Sequence, residues 1–284
     1  MNCSGVDGLN ADPSHSKLPV LPFLKWAGGK RWLIQSGIKI VPDDFNYYHE
    51  PFVGGGAVFF ENAPQQFVIA DLNKELISCY RAIRSDWKQV TRLLQQHQKR
   101  HSKDYYYKIR DNEARSEIGA AARFIYLNRT CWNGLYRVNL KGKFNVPKGT
   151  KTKVVLETDD FESISERLSH GRIECQDFEA TLQNARNGDF VFIDPPYTVA
   201  HNMNAFVKYN EKIFSWEDQI RLRDAILQSV NRGVKVTATN ADHPSIQNLY
   251  HNLGEIHSIP RQSVISGNNI GRGGTSELLM KFGW

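Results

Sequence analysis

The stretch that most constrains this 284-residue sequence lies between residues 47 and 71. Residues 47–52 read as a strand that runs into Gly54-Gly55-Gly56, residues 57–61 open a helix, and residues 67–70 are a short β-prone run ending at Asp71. Strand, glycine turn, helix, strand, acid is the order of a nucleotide-binding βαβ unit and predicts an α/β fold. Glycines such as Gly54 let a cofactor approach the main chain, with a helix N-terminus nearby. A carboxylate placed like Asp71 suits ribose hydroxyls, and it also suits the N-cap of the helix that follows. The pattern is not G-x-G-x-x-G, so a nucleoside cofactor other than NAD is expected. No G-x-x-x-x-G-K-[ST] occurs, which disfavours an ATPase.

The α/β pattern resumes late in the chain. Residues 173–175, 190–193 and 234–239 read as strands, and residues 216–231 as a helix with Ser215 as its N-cap. Between the two halves, residues 73–127 are helical and polar. Leu76, Ile77, Tyr80 and Ile83 recur at helix spacing, and a second helix is expected over 114–128. Residues 132–147 look like a hairpin centred on L-K-G-K. Arg129, Arg137, Lys141, Lys143, Lys148, Lys151 and Lys153 follow one another there with no acid between them. No internal repeat is visible. The chain reads as one α/β domain interrupted by a helical, basic insertion.

The strand over 190–193 ends in Asp194-Pro195-Pro196-Tyr197. Strand ends in open α/β sheets are where ligands bind. The prolines fix the loop and contribute no N–H, so the Pro195 carbonyl and an ionised Asp194 offer two acceptors beside the Tyr197 ring. That set matches the needs of an NH2 group on a planar base. Read alone, the same residues also suit a proline-stiffened loop. Residues 23–29, F-L-K-W-A-G-G, precede Lys30 and a helix-like stretch through residue 40. Lys30 could pair with a carboxylate and Trp26 could pack on a sugar or adenine; a hydrophobic plug with a surface lysine is the plainer reading. His97 and His101, four apart in H-Q-K-R-H, read as a solvated helix face rather than metal ligands.

The formal net charge of +6 is compatible with a polyanionic partner and equally with an ordinary basic protein. With 40% hydrophobic residues the chain can bury a core. Cys3, Cys79, Cys131 and Cys175 are scattered, with no C-x-x-C pair. This argues against a zinc ribbon or a disulfide scaffold, predicts no metal, and suits a reducing cytoplasm. No segment approaches the roughly twenty apolar residues of a membrane span. Residues 1–18 are polar, lack an apolar signal region and read as a disordered extension. A monomer is expected.

F-L-K-W-A-G-G-K, E-P-F-V-G-G-G-A-V-F-F, N-G-L-Y-R-V-N-x-x-x-x-F-N-V-P and D-P-P-Y occur in this order. The chain thereby resembles the Dam-type DNA adenine-N6 methyltransferases, with the similarity spread over about residues 23–282. The resemblance implies a Rossmann-like methyltransferase sheet, 19–74 and 170–284, binding S-adenosylmethionine. It implies an inserted helical, hairpin-bearing target recognition domain over 75–169. It implies that Trp26, Lys30, Asp71 and Asp194 bind the cofactor, with Gly54 in the turn and Phe178 near the cofactor adenine. Asp194, Pro195, Pro196 and Tyr197 match the catalytic D-P-P-Y. Arg137 matches an arginine that reads a base within G-A-T-C, and Lys25 a lysine on the first guanine. Trp132, Asn133 and Leu135 match hairpin residues that contact or wedge into bases of double-stranded DNA. Cys131-Trp132 and the lysine-rich run 148–153 depart from the family pattern and bear on the target site more than on the reaction.

The expected chemistry is direct transfer to an extruded adenine whose two N–H bonds are held by Asp194 and the Pro195 carbonyl. Methylation of RNA adenine or of a protein amide uses the same acceptors, and a DNA-binding module without catalysis is a rival of another class. The basic hairpin favours duplex DNA, whose major groove admits such a ribbon.

Overall fold

The computed structural model of the chain describes residues 20–139, 141–199, 214–261 and 275–284. The extension expected over 1–18 lies outside the described residues.

The strands are β1 (Tyr48–Glu50), β2 (Phe67–Asp71), β3 (Arg172–Cys175), β4 (Phe190–Ile193), β5 (Lys235–Ala241), β6 (Glu255–Arg261) and β7 (Thr275–Phe282). They form a seven-stranded sheet in the order β3-β2-β1-β4-β5-β7-β6. The pairs from β3 to β5 are parallel, and β7 runs antiparallel between β5 and β6. Strand order reverses between β1 and β4, and the crevice at the carboxyl ends of such a pair is where open α/β sheets bind ligands. Glu50 and Asp194 stand at that crevice, one ending β1 and the other following β4.

The helices are α1 (Arg31–Gln35), α2 (Ala57–Asn62), α3 (Lys74–Arg100), α4 (Lys103–Asp111), α5 (Glu117–Thr130), α6 (Phe161–Ser169), α7 (Phe178–Asn184), α8 (Trp216–Asn231) and α9 (Pro244–Tyr250). Strand β4 shows how the sheet is sandwiched. Its Phe190 and Phe192 join the core with α3, α5 and α6, while Val191 and Ile193 join the opposite core with α7, α8 and α9. Successive side chains of a strand point to opposite faces, so a strand buried on both reads as an unbroken apolar run.

The helix expected to continue to residue 40 stops at Gln35. The Ser36 hydroxyl donates back to the Leu33 carbonyl at 2.6 Å, and Gly37 takes φ +74°, a turn that glycine enters without strain. The second insertion helix is α5, shifted to Glu117–Thr130, with the Ser116 side chain accepting from the Gly119 amide. Ser215 caps α8 as expected and forms a reciprocal capping box with Asp218. Helix α3 carries non-helical backbone at Asp86, between a half that meets β3 through Arg81, whose Nε donates to the Ile173 carbonyl at 2.9 Å, and a half that reaches Arg100.

The hairpin is present. Val138 and Phe144 form an antiparallel bridge, the Asn139 amide donates to the Lys143 carbonyl at 2.8 Å, and Gly142 turns the chain at φ +73°. Its base is closed where the Trp132 amide donates to the Pro147 carbonyl and the Gly149 amide to the Thr130 carbonyl.

His97 and His101 are not a solvated face. His97 stacks on Tyr126 with centroids 4.8 Å apart and bonds to the Tyr105 hydroxyl, and His101 bonds to the Tyr126 hydroxyl. Helix α4, which the sequence pattern did not single out, supplies Tyr105 and covers this side of α3. Among the described residues no group of three or more His, Cys, Asp or Glu side chains could hold a metal, and no helix is long and apolar enough to cross a membrane.

Candidate active site at the switch point

The D-P-P-Y loop leaves β4 at the switch point. Lys30 lies beneath it, 3% exposed, with Nζ 2.8 Å from Asp194 Oδ1 and 3.5 Å from Glu277 Oε2. The same ammonium donates to the Gly28 carbonyl at 2.7 Å and sits 5.0 Å from the centroid of the Tyr197 ring. Lys30 is therefore a buried, paired cation and not a surface lysine. Thr239, on β5, donates a hydrogen bond to the same Asp194 Oδ1 at 2.7 Å. Among the described residues no donor reaches Asp194 Oδ2 or the Pro195 carbonyl.

Tyr197 donates its hydroxyl to Glu277 Oε2 at 2.9 Å, and Arg261 pairs with the other oxygen of Glu277. Burial pushes the Tyr197 hydroxyl well above its ordinary pKa, and Asp194 and Glu277 push it the same way. Thr239 and Glu277 escaped sequence reasoning. A carboxylate opening the apolar run E-L-L-M was the available signal for Glu277; Thr239 offered none.

Across the crevice, Gly54 and Gly56 both have positive φ, and a Cβ on Gly54 would lie 2.6 Å from the Trp26 indole. The close approach that the glycine turn allows is thus made by Trp26 itself. Asp71 Oδ2 accepts from the Gly54 amide at 3.2 Å and Oδ1 from the Asn73 amide at 2.9 Å. Asn73, not Asp71, caps α3, its side chain accepting from the Leu76 amide. The capping alternative for Asp71 therefore falls. Burial raises the Asp71 carboxyl against the lowering effect of those amides. Glu50 is buried and accepts from the Tyr48 hydroxyl at 2.7 Å. Burial pushes its carboxyl well above the usual range, the Tyr48 bond opposes this, and the charges of Asp194 and Asp71 add to the rise.

Phe178, the residue expected near the cofactor adenine, is buried. It is 2% exposed, stacked on Phe52 at 5.6 Å, packed against Phe214, and covered by the Arg221 guanidinium at 4.9 Å.

The residues matched to DNA contacts gather at one place. Trp132, Asn133 and Gly134 form a 3-10 turn after α5, with Trp132 53% and Leu135 39% exposed. Asn133 adopts φ +54°, and Gly134 is pressed so close to the Lys25 side chain that a Cβ would lie 2.4 Å from its Cδ. Asn128 ties the two segments. Its side chain exchanges hydrogen bonds with the Lys25 amide and carbonyl and donates to the Gly134 carbonyl at 3.3 Å. Arg137 is exposed on the hairpin, its Nε donating to Asn145 Oδ1 at 2.9 Å. Lys25 and Trp26 are adjacent, so one segment serves the turn with one side chain and the Gly54 corner with the next.

A mostly parallel sheet whose strand order reverses between β1 and β4, with the D-P-P-Y loop at that point, is an α/β framework of the kind that binds ligands at its switch point. Residues 26–265 match the family described as D12 class N6 adenine-specific DNA methyltransferase, and the chain belongs to that family. It is 41% identical over 93% of its length to a type II methyltransferase, M1.LlaDCHI, of Lactococcus lactis subsp. cremoris, covering 96% of that protein. It is 35% identical over 79% of its length to the type II methyltransferase M.MjaIII of Methanocaldococcus jannaschii, covering 85% of it. It is 32% identical over 90% of its length to a DNA adenine methylase of Serratia marcescens, covering 96% of it. The protein is a site-specific DNA adenine methyltransferase, and membership of the family implies S-adenosylmethionine as its methyl donor.

Proposed function

We propose that this chain methylates the N6 amino group of adenine within G-A-T-C in double-stranded DNA, using the residues gathered at the switch point. The observation that carries the reading is the one-sided anchoring of Asp194: Lys30 and Thr239 both hold Oδ1, which leaves Oδ2 for a substrate.

The donor set fits S-adenosylmethionine. Glu50, Asp71 and Asp194 converge on a corner where Lys30 is the cation in contact, a charge pattern that welcomes a sulfonium and an ammonium. A carboxylate has about four lone-pair sites, so Asp71 retains capacity for ribose hydroxyls beyond the two amides it already accepts. Trp26, over Gly54, walls the same corner. Phe178 serves this pocket by backing Phe52 with its ring. The cofactor supplies an electrophilic methyl group on sulfur.

The target adenine is flipped out of the duplex, at a cost of a few kcal/mol. Asp194 Oδ2 and the Pro195 carbonyl accept the two N–H bonds of its amine, aiming the nitrogen lone pair at the methyl carbon. The Tyr197 ring stacks on the base, held in orientation by its hydroxyl on Glu277. Positioning of this kind accounts for roughly 7–11 kcal/mol of barrier reduction at most. Outside the pocket, Trp132 and Leu135 present apolar surface to unstacked bases, Asn133 and Lys25 flank them, and Arg137 reads a guanine edge. The segment 75–169 acts as the target recognition unit on a catalytic frame of 19–74 and 170–284.

Two measurements test this. Asp194→Ala is expected to abolish methylation in a folded protein, and substantial residual turnover removes Asp194 from the mechanism. DNA treated with the wild-type protein should become resistant to a nuclease blocked by G-A-T-C methylation and susceptible to one that requires it. Methyl-adenine mapped to another sequence would keep the chemistry and overturn the site.

A further inference from the structure

We propose that Tyr136 is a positioning residue that couples the DNA-reading turn to the cofactor corner, so that duplex and cofactor each tighten the binding of the other through it. The proposal rests on the assignment of Trp26 and Asp71 to the cofactor and of Leu135 and Arg137 to DNA.

Leu135 and Arg137, the neighbours of Tyr136, are both exposed, whereas Tyr136 is half-buried. Leu135 is extended, and in extended chain alternate side chains point to opposite sides. Tyr136 therefore turns inward at the point where its neighbours turn out. Its ring stacks on Trp26 with centroids 5.7 Å apart and planes at 23°, and packs against Phe124 and Phe144. Its hydroxyl donates to Glu75 Oε2 at 2.6 Å.

These contacts close a ring. Glu75 lies in the first turn of α3, directly beyond the Asn73 cap. The amide of Asn73 is held by Asp71 Oδ1, and Asp71 Oδ2 holds the Gly54 amide. Gly54 lies against Trp26, which returns to Tyr136. A shift of the turn on meeting DNA moves Tyr136, and through it both the Trp26 wall and the α3 start that fixes Asp71. Packed side chains transmit such a shift because protein interiors have little void to absorb it. Linkage makes the effect reciprocal: whatever factor DNA contributes to cofactor affinity, the cofactor contributes to DNA affinity.

The test uses the full chain with S-adenosylhomocysteine as a non-reactive probe. Its Kd is measured by calorimetry with and without a duplex carrying the target, and the duplex Kd is measured with and without the probe. The two ratios should agree and exceed about fivefold. Tyr136→Phe, which keeps the stack and loses the Glu75 bond, should reduce the ratio; Glu75→Gln should reduce it similarly; Tyr136→Ala should bring it close to unity while both ligands still bind. A residue that only supports the fold would lower both affinities and leave the ratio unchanged, and that result overturns the proposal, as does a ratio of unity in the wild type. Should Tyr136→Ala fail to fold, the Phe and Gln variants decide. Failure of the wild type to bind the probe at all, or loss of no affinity in Trp26→Ala and Arg137→Ala, would instead sink the site assignment beneath the proposal.

Discussion

Asn128 holds both main-chain polar groups of Lys25, accepting from its amide at 2.9 Å and donating to its carbonyl at 2.8 Å. A side-chain amide mimics a strand partner here, and it fixes the segment that carries Lys25, Trp26 and Lys30 against the end of α5. Asn128→Ala leaves these groups and the Gly134 carbonyl short of a partner, and each buried unsatisfied group costs about 1–3 kcal/mol. The variant should show a lower unfolding temperature and reduced methylation. Asn128→Asp, which keeps the acceptor for the Lys25 amide and loses both donors, should fall between it and wild type. An unchanged melting curve and rate for the alanine variant contradicts this role.

In the proposed mechanism Thr239 acts on the reaction through Asp194. Its hydroxyl and Lys30 share Oδ1 of that carboxylate. Thr239→Val preserves volume and deletes the donor. Hydrogen bonds to charged groups contribute about 1.5–3 kcal/mol, which corresponds to roughly ten- to hundredfold in rate. The loss is expected in kcat, with binding of S-adenosylhomocysteine little altered; a loss confined to KM would show that Thr239 does not orient Asp194.

The proposed mechanism gives the ring and the hydroxyl of Tyr197 separable roles. Tyr197→Phe keeps the stacking face and removes the bond to Glu277, which Lys30 and Arg261 continue to neutralise. A modest rate loss and about 1 kcal/mol of stability are expected. Tyr197→Ala should be much worse in single-turnover methylation. Equal losses from the two variants would remove stacking from the mechanism.

Arg137 is exposed, with its Nε held by Asn145 and the rest of its guanidinium at the hairpin surface. Arg137→Ala should relax sequence choice, lowering discrimination at one base pair by about 1–3 kcal/mol. Competition between cognate and single-substituted duplexes reads this directly. Uniform weakening on every duplex would make Arg137 a phosphate contact instead.

Acid should destabilise the insertion through His97. Burial, and after it the charge of Arg100, lowers its pKa from 6.5 to about 4. Between those values the unfolded chain binds more protons than the folded one. The stability that the neutral imidazole provides is therefore fully present above pH 6.5 and is lost as pH falls toward 4. The urea midpoint of the wild type should fall as pH is lowered from about 6.5 to 5, and His97→Gln should flatten that slope. An unaltered slope would assign the acid sensitivity elsewhere.

The βαβ unit and the D-P-P-Y strand were legible because period, turn and length agreed. Residues 67–70 and 190–193 are short apolar runs between breakers, and Ser215 announces α8. Strand β6 was not legible, because Pro260 interrupts it. Proline is tolerated there since β6 is the sheet's edge. Strand β7 is covered on both faces, with Leu279 in one core and Leu278 and Met280 in the other, so it shows no alternation. In the site, Lys30, Asp71 and Asp194 were readable from motifs, but their partners were not. Glu277 and Thr239 reach Asp194, Lys30 and Tyr197 only through the pairing of β7 with β5. The half-buried state of His97 depends on α4, whose tyrosines carry no pattern that points to histidine.

The reversed strand β7 also makes the site depend on segments far apart in the chain. Lys30, near one end of the described sequence, meets Glu277, near the other, and both meet the loop from the middle. Without Thr275–Phe282 in place, Tyr197 loses its bond to Glu277 and Lys30 loses one of its two carboxylate neighbours. Seating one antiparallel strand between β5 and β6 thus completes a corner built from three segments remote in sequence.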